Sequence, residues 1–303
     1  MKEIRGIFAP IVTPFTDDDK IDYESLAFNL ERLGRTKLAG IVVMGSNGEF
    51  ASLTQREKID LMKFVRAHLA PSKAMIAGTG SESLPVTKEL NEAAADAGAD
   101  AVLVLSPTYY KGALTPAGLT AWLTAVADAS PLPVMLYNMP GNSGVNIPPA
   151  VTVALSQHPN VAGIKDSGGV IAQIAQVAHQ ARPGFAVFAG SGSFLMPTLL
   201  AGGVGGTLAV ANIAPDYCVE LAERALSGDI PDARRMQGEL IPLNGAVTSK
   251  WGVPGLKCAM AKLGWKPGRL RLPFLPLGAE AERQLAETLE TFQSRTGYDL
   301  HVV

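Results

Sequence analysis

The chain has 303 residues, of which 47% are hydrophobic and 18% charged, and its formal net charge is -2. That composition can bury a large core and excludes a disordered chain. The even mixture of signs, without a long run of either, excludes the electrostatic footprint of a nucleic-acid or lipid-headgroup binder.

The length suits one large α/β barrel or two ordinary domains. Cys218 and Cys258 stand outside any C-x-x-C pattern and read as free thiols in a reducing compartment. His68, His158, His179 and His301 lack metal-ligand spacing, so no metal is expected. Met1 to Arg5 does not have the layout of a signal peptide, and no apolar stretch is long enough to span a bilayer. The expected location is the cytoplasm.

Taken in chain order, short apolar runs recur at residues 6–12, 40–44, 74–78, 101–105, 133–136, 161–164, 185–189 and 203–210. They do not alternate polar with apolar, which is the pattern of parallel strands buried on both faces. Helical signals lie between them. Thr54-Gln55-Arg56-Glu57 has the form of a capping box, with Ile59, Met62 and Val65 on one face behind it. Ser83 can cap the next helix, which ends near Ala97-Gly98. Thr115-Pro116 is an N-cap followed by proline at the first helical position. Strand and helix therefore alternate eight times, which predicts a (β/α)8 barrel over residues 1–227. A doubly wound open sheet is the alternative, but it would normally carry a nucleotide fingerprint. Beyond Ser227-Gly228-Asp229 only helical segments follow, at 232–247, 254–263 and 279–292. Residues 228–303 are thus expected to form a C-terminal helical extension packed on the barrel.

Barrel active sites form where strands end and the next loops begin. Lys165 ends the sixth run. In apolar surroundings a fraction of its amine would be unprotonated, the nucleophile that a ketone requires. Strand alternation keeps Ile164 and Lys165 on opposite faces. Tyr137 ends the fifth run, where a phenol can pass protons. Gly45-Ser46-Asn47-Gly48-Glu49 follows the second run. Its tight turn can converge N–H groups, a hydroxyl and an amide on a carboxylate. Tyr109-Tyr110 follows the fourth run. Gly190-Ser191-Gly192-Ser193 and Gly202 to Gly206 match neither phosphate-binding glycine motif and read as tight turns.

Together these segments resemble the dihydrodipicolinate synthase and N-acetylneuraminate lyase superfamily of class I aldolases. The markers are Thr13-Pro14-Phe15, the Gly45 to Glu49 loop, Tyr137-Asn138-Met139-Pro140 and Gly163-Ile164-Lys165-Asp166-Ser167. The resemblance implies that Lys165 forms the Schiff base and that Tyr137 relays protons. It implies that Ser46 and Asn47 hold the pyruvate carboxylate. It also implies that Tyr110 reaches into a neighbouring subunit's site, in a homo-oligomer that is commonly a tetramer. Ser167, Asn142 and Thr207 complete the expected substrate-binding set. Ser167 reads equally well as a helix N-cap.

Synthases of this superfamily carry arginine where this chain has Asn142, and an asparagine cannot supply a bidentate cationic clamp. The closest likeness is to 4-hydroxy-2-oxoglutarate aldolase, through residues 45–50, 155–160, 165–169 and 252–257. The resemblance thus implies cleavage of a 4-hydroxy-2-oxo acid to pyruvate and an aldehyde, glyoxylate in that case, without metal or organic cofactor. The alternatives are a dihydrodipicolinate synthase with a relocated carboxylate contact, a sugar-acid aldolase or dehydratase, and a catalytically inert pyruvate-binding barrel.

Overall fold

The computed structural model describes residues 3–301. Eight parallel strands close on themselves in sequence order. They are β1 (Gly6–Pro10), β2 (Gly40–Val43), β3 (Ala74–Gly78), β4 (Ala101–Leu105), β5 (Val134–Asn138), β6 (Val161–Asp166), β7 (Ala186–Ala189) and β8 (Gly205–Thr207). The pairing of β1 with β8 completes the ring. The outer layer contains α1 (Tyr23–Gly34), α2 (Gln55–His68), α3 (Leu84–Asp96), α4 (Pro116–Ala129), the short α5 (Pro140–Ser143), α6 (Pro149–Ser156), α7 (Ile171–Gln180), α8 (Leu195–Leu200) and α9 (Pro215–Ser227).

Local chemistry explains the starts of these helices. The capping box at α2 is complete: Thr54 Oγ1 accepts from Glu57 N, and the Glu57 carboxylate accepts from Thr54 N. Ser83 caps α3 and Thr115 caps α4, which begins with Pro116. The strands are apolar throughout because both faces are covered. One buried cluster, including Phe8, Val42, Ile76, Leu103, Met135, Tyr137 and Phe188, fills the lumen. Another, including Ile7, Ile41, Met75, Val104, Leu136, Ile164 and Val187, lies between strands and helices.

The boundaries differ from the sequence reading in three informative places. β5 and β6 each run further, to Asn138 and Asp166, because those side chains bond to each other across the two strands. The eighth strand stops at Thr207, and Ala209–Asn212 winds into a 3₁₀ turn. Asn212 Nδ2 holds that turn by donating to the Pro10 and Ala209 carbonyls.

The extension comprises α10 (Ile230–Gly245), a π-helical turn (Ala246–Lys250), α11 (Gly252–Lys262) and α12 (Ala279–Thr296). It packs on the barrel through apolar burial and through specific polar contacts. Asn244 Nδ2 donates to the Ser191 and Ser193 hydroxyls, while Gln237 Nε2 donates to Gly192 O and its Oε1 accepts from Met196 N. Among the described residues no helix is long and apolar enough to cross a membrane.

Candidate active site

Register decides which side chains meet. Leu105 pairs with Tyr137, Tyr137 with Lys165, and Lys165 with Phe188. Paired residues on adjacent parallel strands face the same way, and Tyr137 and Phe188 belong to the lumen cluster. Lys165 therefore points into the lumen. The next row, Asn138, Asp166 and Ala189, points outward. Asp166 is consequently turned away from Lys165 despite being its neighbour in sequence. Its carboxylate accepts from Asn138 Nδ2 at 2.8 Å, Gln173 Nε2 at 3.0 Å and Gly168 N at 2.8 Å. Asn138 Oδ1 in turn accepts from Ile147 N. Asp166 thus ties down the loops after β5 and β6.

Lys165 is 3% exposed. Its Nζ lies 4.1 Å from the centre of the Tyr137 ring. The Tyr137 hydroxyl lies 3.2 Å from Ser46 Oγ. Burial alone would push this phenol up. The Lys165 charge and hydrogen bonding from Ser46 and Lys165 outweigh it and hold the phenol below its ordinary value. The Ser167 hydroxyl also faces the phenol electrostatically, yet it has no aligned hydrogen-bond partner and stays a buried orphan. Gly190 makes room for it: a Cβ at Gly190 would lie 1.9 Å from Ser167 Oγ. Ser167 is not a helix cap, since α7 begins after Val170.

The turn bearing Ser46 and Asn47 is a 3₁₀ segment, Ser46–Gly48, entered through Met44 at φ 58° and left through Glu49 at φ 54°. Non-glycine residues rarely adopt such values, so neighbours must enforce them. Thr13 Oγ1 donates to Gly48 O at 2.8 Å. The buried Glu49 carboxylate accepts from Arg271 N at 2.9 Å. Lys257 Nζ sits 2.6 Å from Glu49 Oε1 as an ion pair without hydrogen-bond alignment, and it also donates to Thr13 O. Burial, with Arg271 adding a little, pushes the Lys257 amine down more strongly than Glu49 lifts it. Arg271 itself reaches Glu57 and Asp19. The extension thus clamps the loop after β2. The sequence reading names Glu49 and Lys257 only as parts of strings. No local spacing signals a pair so far apart in the chain.

Other expected residues fall at the same end of the barrel with fewer contacts. Asn47 follows Ser46 on the turn and is half-buried. Thr207 is 2% exposed and in register with Phe8 of the lumen. Asn142 is exposed in α5. Tyr110 is 75% exposed and packs edge-on against Tyr109, with no hydrogen bond to Tyr137 among the described residues. Within a single chain Tyr110 therefore stands apart from the Lys165 cluster.

A groove of about 820 Å³ lies elsewhere, along α11 and the segment 267–277. Tyr137, whose ring centre lies 4.1 Å from Lys165 Nζ, lines a far smaller cleft with Gly45, Gly78 and Leu105. The chemistry identifies the site here, and cavity size does not.

Comparison with known proteins agrees with this fold. The Dihydrodipicolinate synthetase family matches residues 3–292. A 4-hydroxy-tetrahydrodipicolinate synthase of Methanothrix thermoacetophila is 35% identical over 97% of this chain and 98% of its own. A probable mitochondrial 4-hydroxy-2-oxoglutarate aldolase of Emericella nidulans is also 35% identical, over 95% and 94%. Among solved structures, YagE, a prophage protein of E. coli K12 in complex with pyruvate, superposes with a TM-score of 0.89 at 31% identity, covering 96% of this chain and 99% of that one. The chain belongs to the dihydrodipicolinate synthetase family and is an enzyme, a lyase of the class that works on pyruvate through a Schiff base.

Proposed function

We propose that the protein cleaves 4-hydroxy-2-oxoglutarate to pyruvate and glyoxylate through a Schiff base on Lys165. The observation that carries the mechanism is Lys165 Nζ 4.1 Å from the Tyr137 ring inside the lumen. The unprotonated amine attacks the C2 ketone, and loss of water leaves an iminium ion. Ser46, Asn47 and the leading N–H groups of their turn receive the C1 carboxylate. Tyr137, linked to Ser46 at 3.2 Å, takes the proton of the 4-hydroxyl. The C3–C4 bond breaks, its electron pair enters the iminium, and glyoxylate leaves. The enamine gains a proton at C3, and water releases pyruvate. The lysine itself forms the electron sink, so the sequence of steps calls for no metal or organic cofactor.

The aldolase in preference to the synthase is supported by Asn142, exposed at the mouth, and by the likeness to the Emericella nidulans protein. A second reading, condensation of pyruvate with aspartate semialdehyde, is favoured by relatives such as the Methanothrix thermoacetophila synthase. Exposed Tyr109 and Tyr110 support a homo-oligomer, proposed as a tetramer, in which Tyr110 completes a neighbouring site. We place the enzyme in the cytoplasm and assign the site to the barrel, 1–227, with 228–303 as its packed extension.

The test has two parts. Borohydride with pyruvate should give one adduct, on the peptide containing Lys165, and none in Lys165→Ala or Lys165→Arg, since a guanidinium stays protonated. The kcat/KM for 4-hydroxy-2-oxoglutarate cleavage should exceed that for condensation with aspartate semialdehyde. A persistent adduct in Lys165→Ala overturns the mechanism. A higher value for the condensation overturns the substrate while leaving the mechanism standing.

A further inference from the structure

A dicarboxylic substrate held at C2 by Lys165 presents its distal carboxylate outward, toward the loops that follow the strands. Those eight loops carry only two cations, Lys20 after β1 and Lys111 after β4. Lys20 is paired with Asp18 at 2.6 Å. The cations that the extension brings nearby are also engaged. Arg269 meets Asp17, Lys257 meets Glu49, Arg271 meets Glu57, and Lys250 bonds to Gln284. Lys111 has no acceptor for its ammonium among the described residues.

The position of Lys111 is specific. Its Nζ lies over Gly144, where an added Cβ would come within 2.8 Å of it. Gly144 ends α5, and at the other end of that short helix Pro140 packs beside Gly168, 3.3 Å from where a Cβ there would stand. Gly168 follows Ser167, two residues beyond Lys165. A contiguous rim therefore runs from Lys165 through Ser167 and α5 to the Lys111 ammonium. The loop that bears Lys111 is also held. The Glu82 carboxylate accepts from Thr108 N at 2.9 Å, Thr108 Oγ1 at 2.6 Å and Tyr109 N at 3.2 Å. Burial would raise this carboxyl, but those donors keep it below the usual carboxylate range and hence charged.

We propose that Lys111 receives the distal carboxylate of a dicarboxylic 2-oxo acid and so selects dicarboxylates over monocarboxylates. The inference rests on the aldolase reading above. A lysine's compact charge on a flexible four-carbon stem can follow that carboxylate until the aldehyde departs. The contact is partly solvated, so it is screened by salt.

The experiment compares cleavage of 4-hydroxy-2-oxoglutarate with that of 4-hydroxy-2-oxopentanoate, which has a methyl group in place of the distal carboxylate. In Lys111→Met, kcat/KM should fall about 10-fold or more for the dicarboxylate, mostly through KM, and stay unchanged for the monocarboxylate. Lys111→Arg should restore much of the loss, and rising ionic strength should weaken only the wild-type preference. Lys111 is exposed, so the variants should fold, and pyruvate trapping on Lys165 verifies that the site is intact. An equal loss on both substrates, or none on either, overturns the assignment. A wild-type enzyme that traps pyruvate but leaves 4-hydroxy-2-oxoglutarate uncleaved overturns the aldolase reading and this inference with it. That outcome differs from a wild type that cleaves the dicarboxylate and a Lys111→Met variant that cleaves it equally well.

Discussion

A phenol beside an amine in a closed lumen has two competing influences on it. Burial opposes its ionisation, and the neighbouring positive charge with donated hydrogen bonds favours it. In Tyr137 the second set prevails. The sign for activity follows: a lowered value makes the phenolate, the form that accepts a proton, more populated at a given pH than in an ordinary tyrosine. The limb of kcat/KM that reports this group should rise with pH and lie below the ordinary phenol value of about 10. In Tyr137→Phe turnover should drop by about 10²- to 10⁴-fold, that limb should vanish, and pyruvate trapping on Lys165 should persist. Near-normal turnover in the variant would show that another group carries the proton. At this scale the sequence was informative because Lys165 and Tyr137 sit near the ends of apolar runs. It was silent on Gly190, whose missing side chain leaves room for Ser167 and which is read locally as a turn.

At the scale of elements, the loop after β2 depends on the extension more than on its own residues. Glu49 holds a left-handed conformation while its carboxylate is buried against Lys257 and Arg271 N. Breaking a buried pair by removing one partner typically costs about 3–5 kcal/mol, because the other charge is left uncompensated. Lys257→Met should therefore lower thermal stability by roughly that amount and raise the KM for pyruvate through a displaced Ser46. The double variant with Glu49→Gln should recover part of the stability, since it leaves no orphan carboxylate. Full stability in Lys257→Met would show that Arg271 N alone satisfies Glu49. Helix starts were legible because capping is local: Thr54, Ser83 and Thr115 each act within three residues. Strand ends were less legible. The extra residues of β5 and β6 depend on the Asn138–Asp166 bond, a pairing between strands that no window along the chain contains. The short β8 depends in the same way on Asn212 reaching the Pro10 carbonyl.

For the whole molecule, the eight-fold recurrence of buried runs was sufficient to imply closure, because each strand must find neighbours on both sides and the first must meet the last. What the extension does was not legible. Its helices read as amphipathic cover, whereas Asn244, Lys257 and Arg271 reach from it into the loops around the site. A chain ended at Ser227 retains all eight strands and Lys165, but leaves Glu49 without Lys257 and Ser193 without Asn244. It should give no borohydride adduct with pyruvate and no cooperative unfolding transition. An adduct on Lys165 in that fragment would show that the barrel arranges its own site. The same clamp bears on synthesis by the ribosome, which releases the chain from its N-terminus and lets early parts fold first. The strands and Lys165 emerge well before Lys257 and Arg271, so a nascent barrel carries its lysine while the loop after β2 still lacks its clamp. On the proposed reading, activity should appear only once Lys257 and Arg271 have left the exit tunnel, and a prematurely terminated product that stops short of them should be inert toward 2-oxo acids.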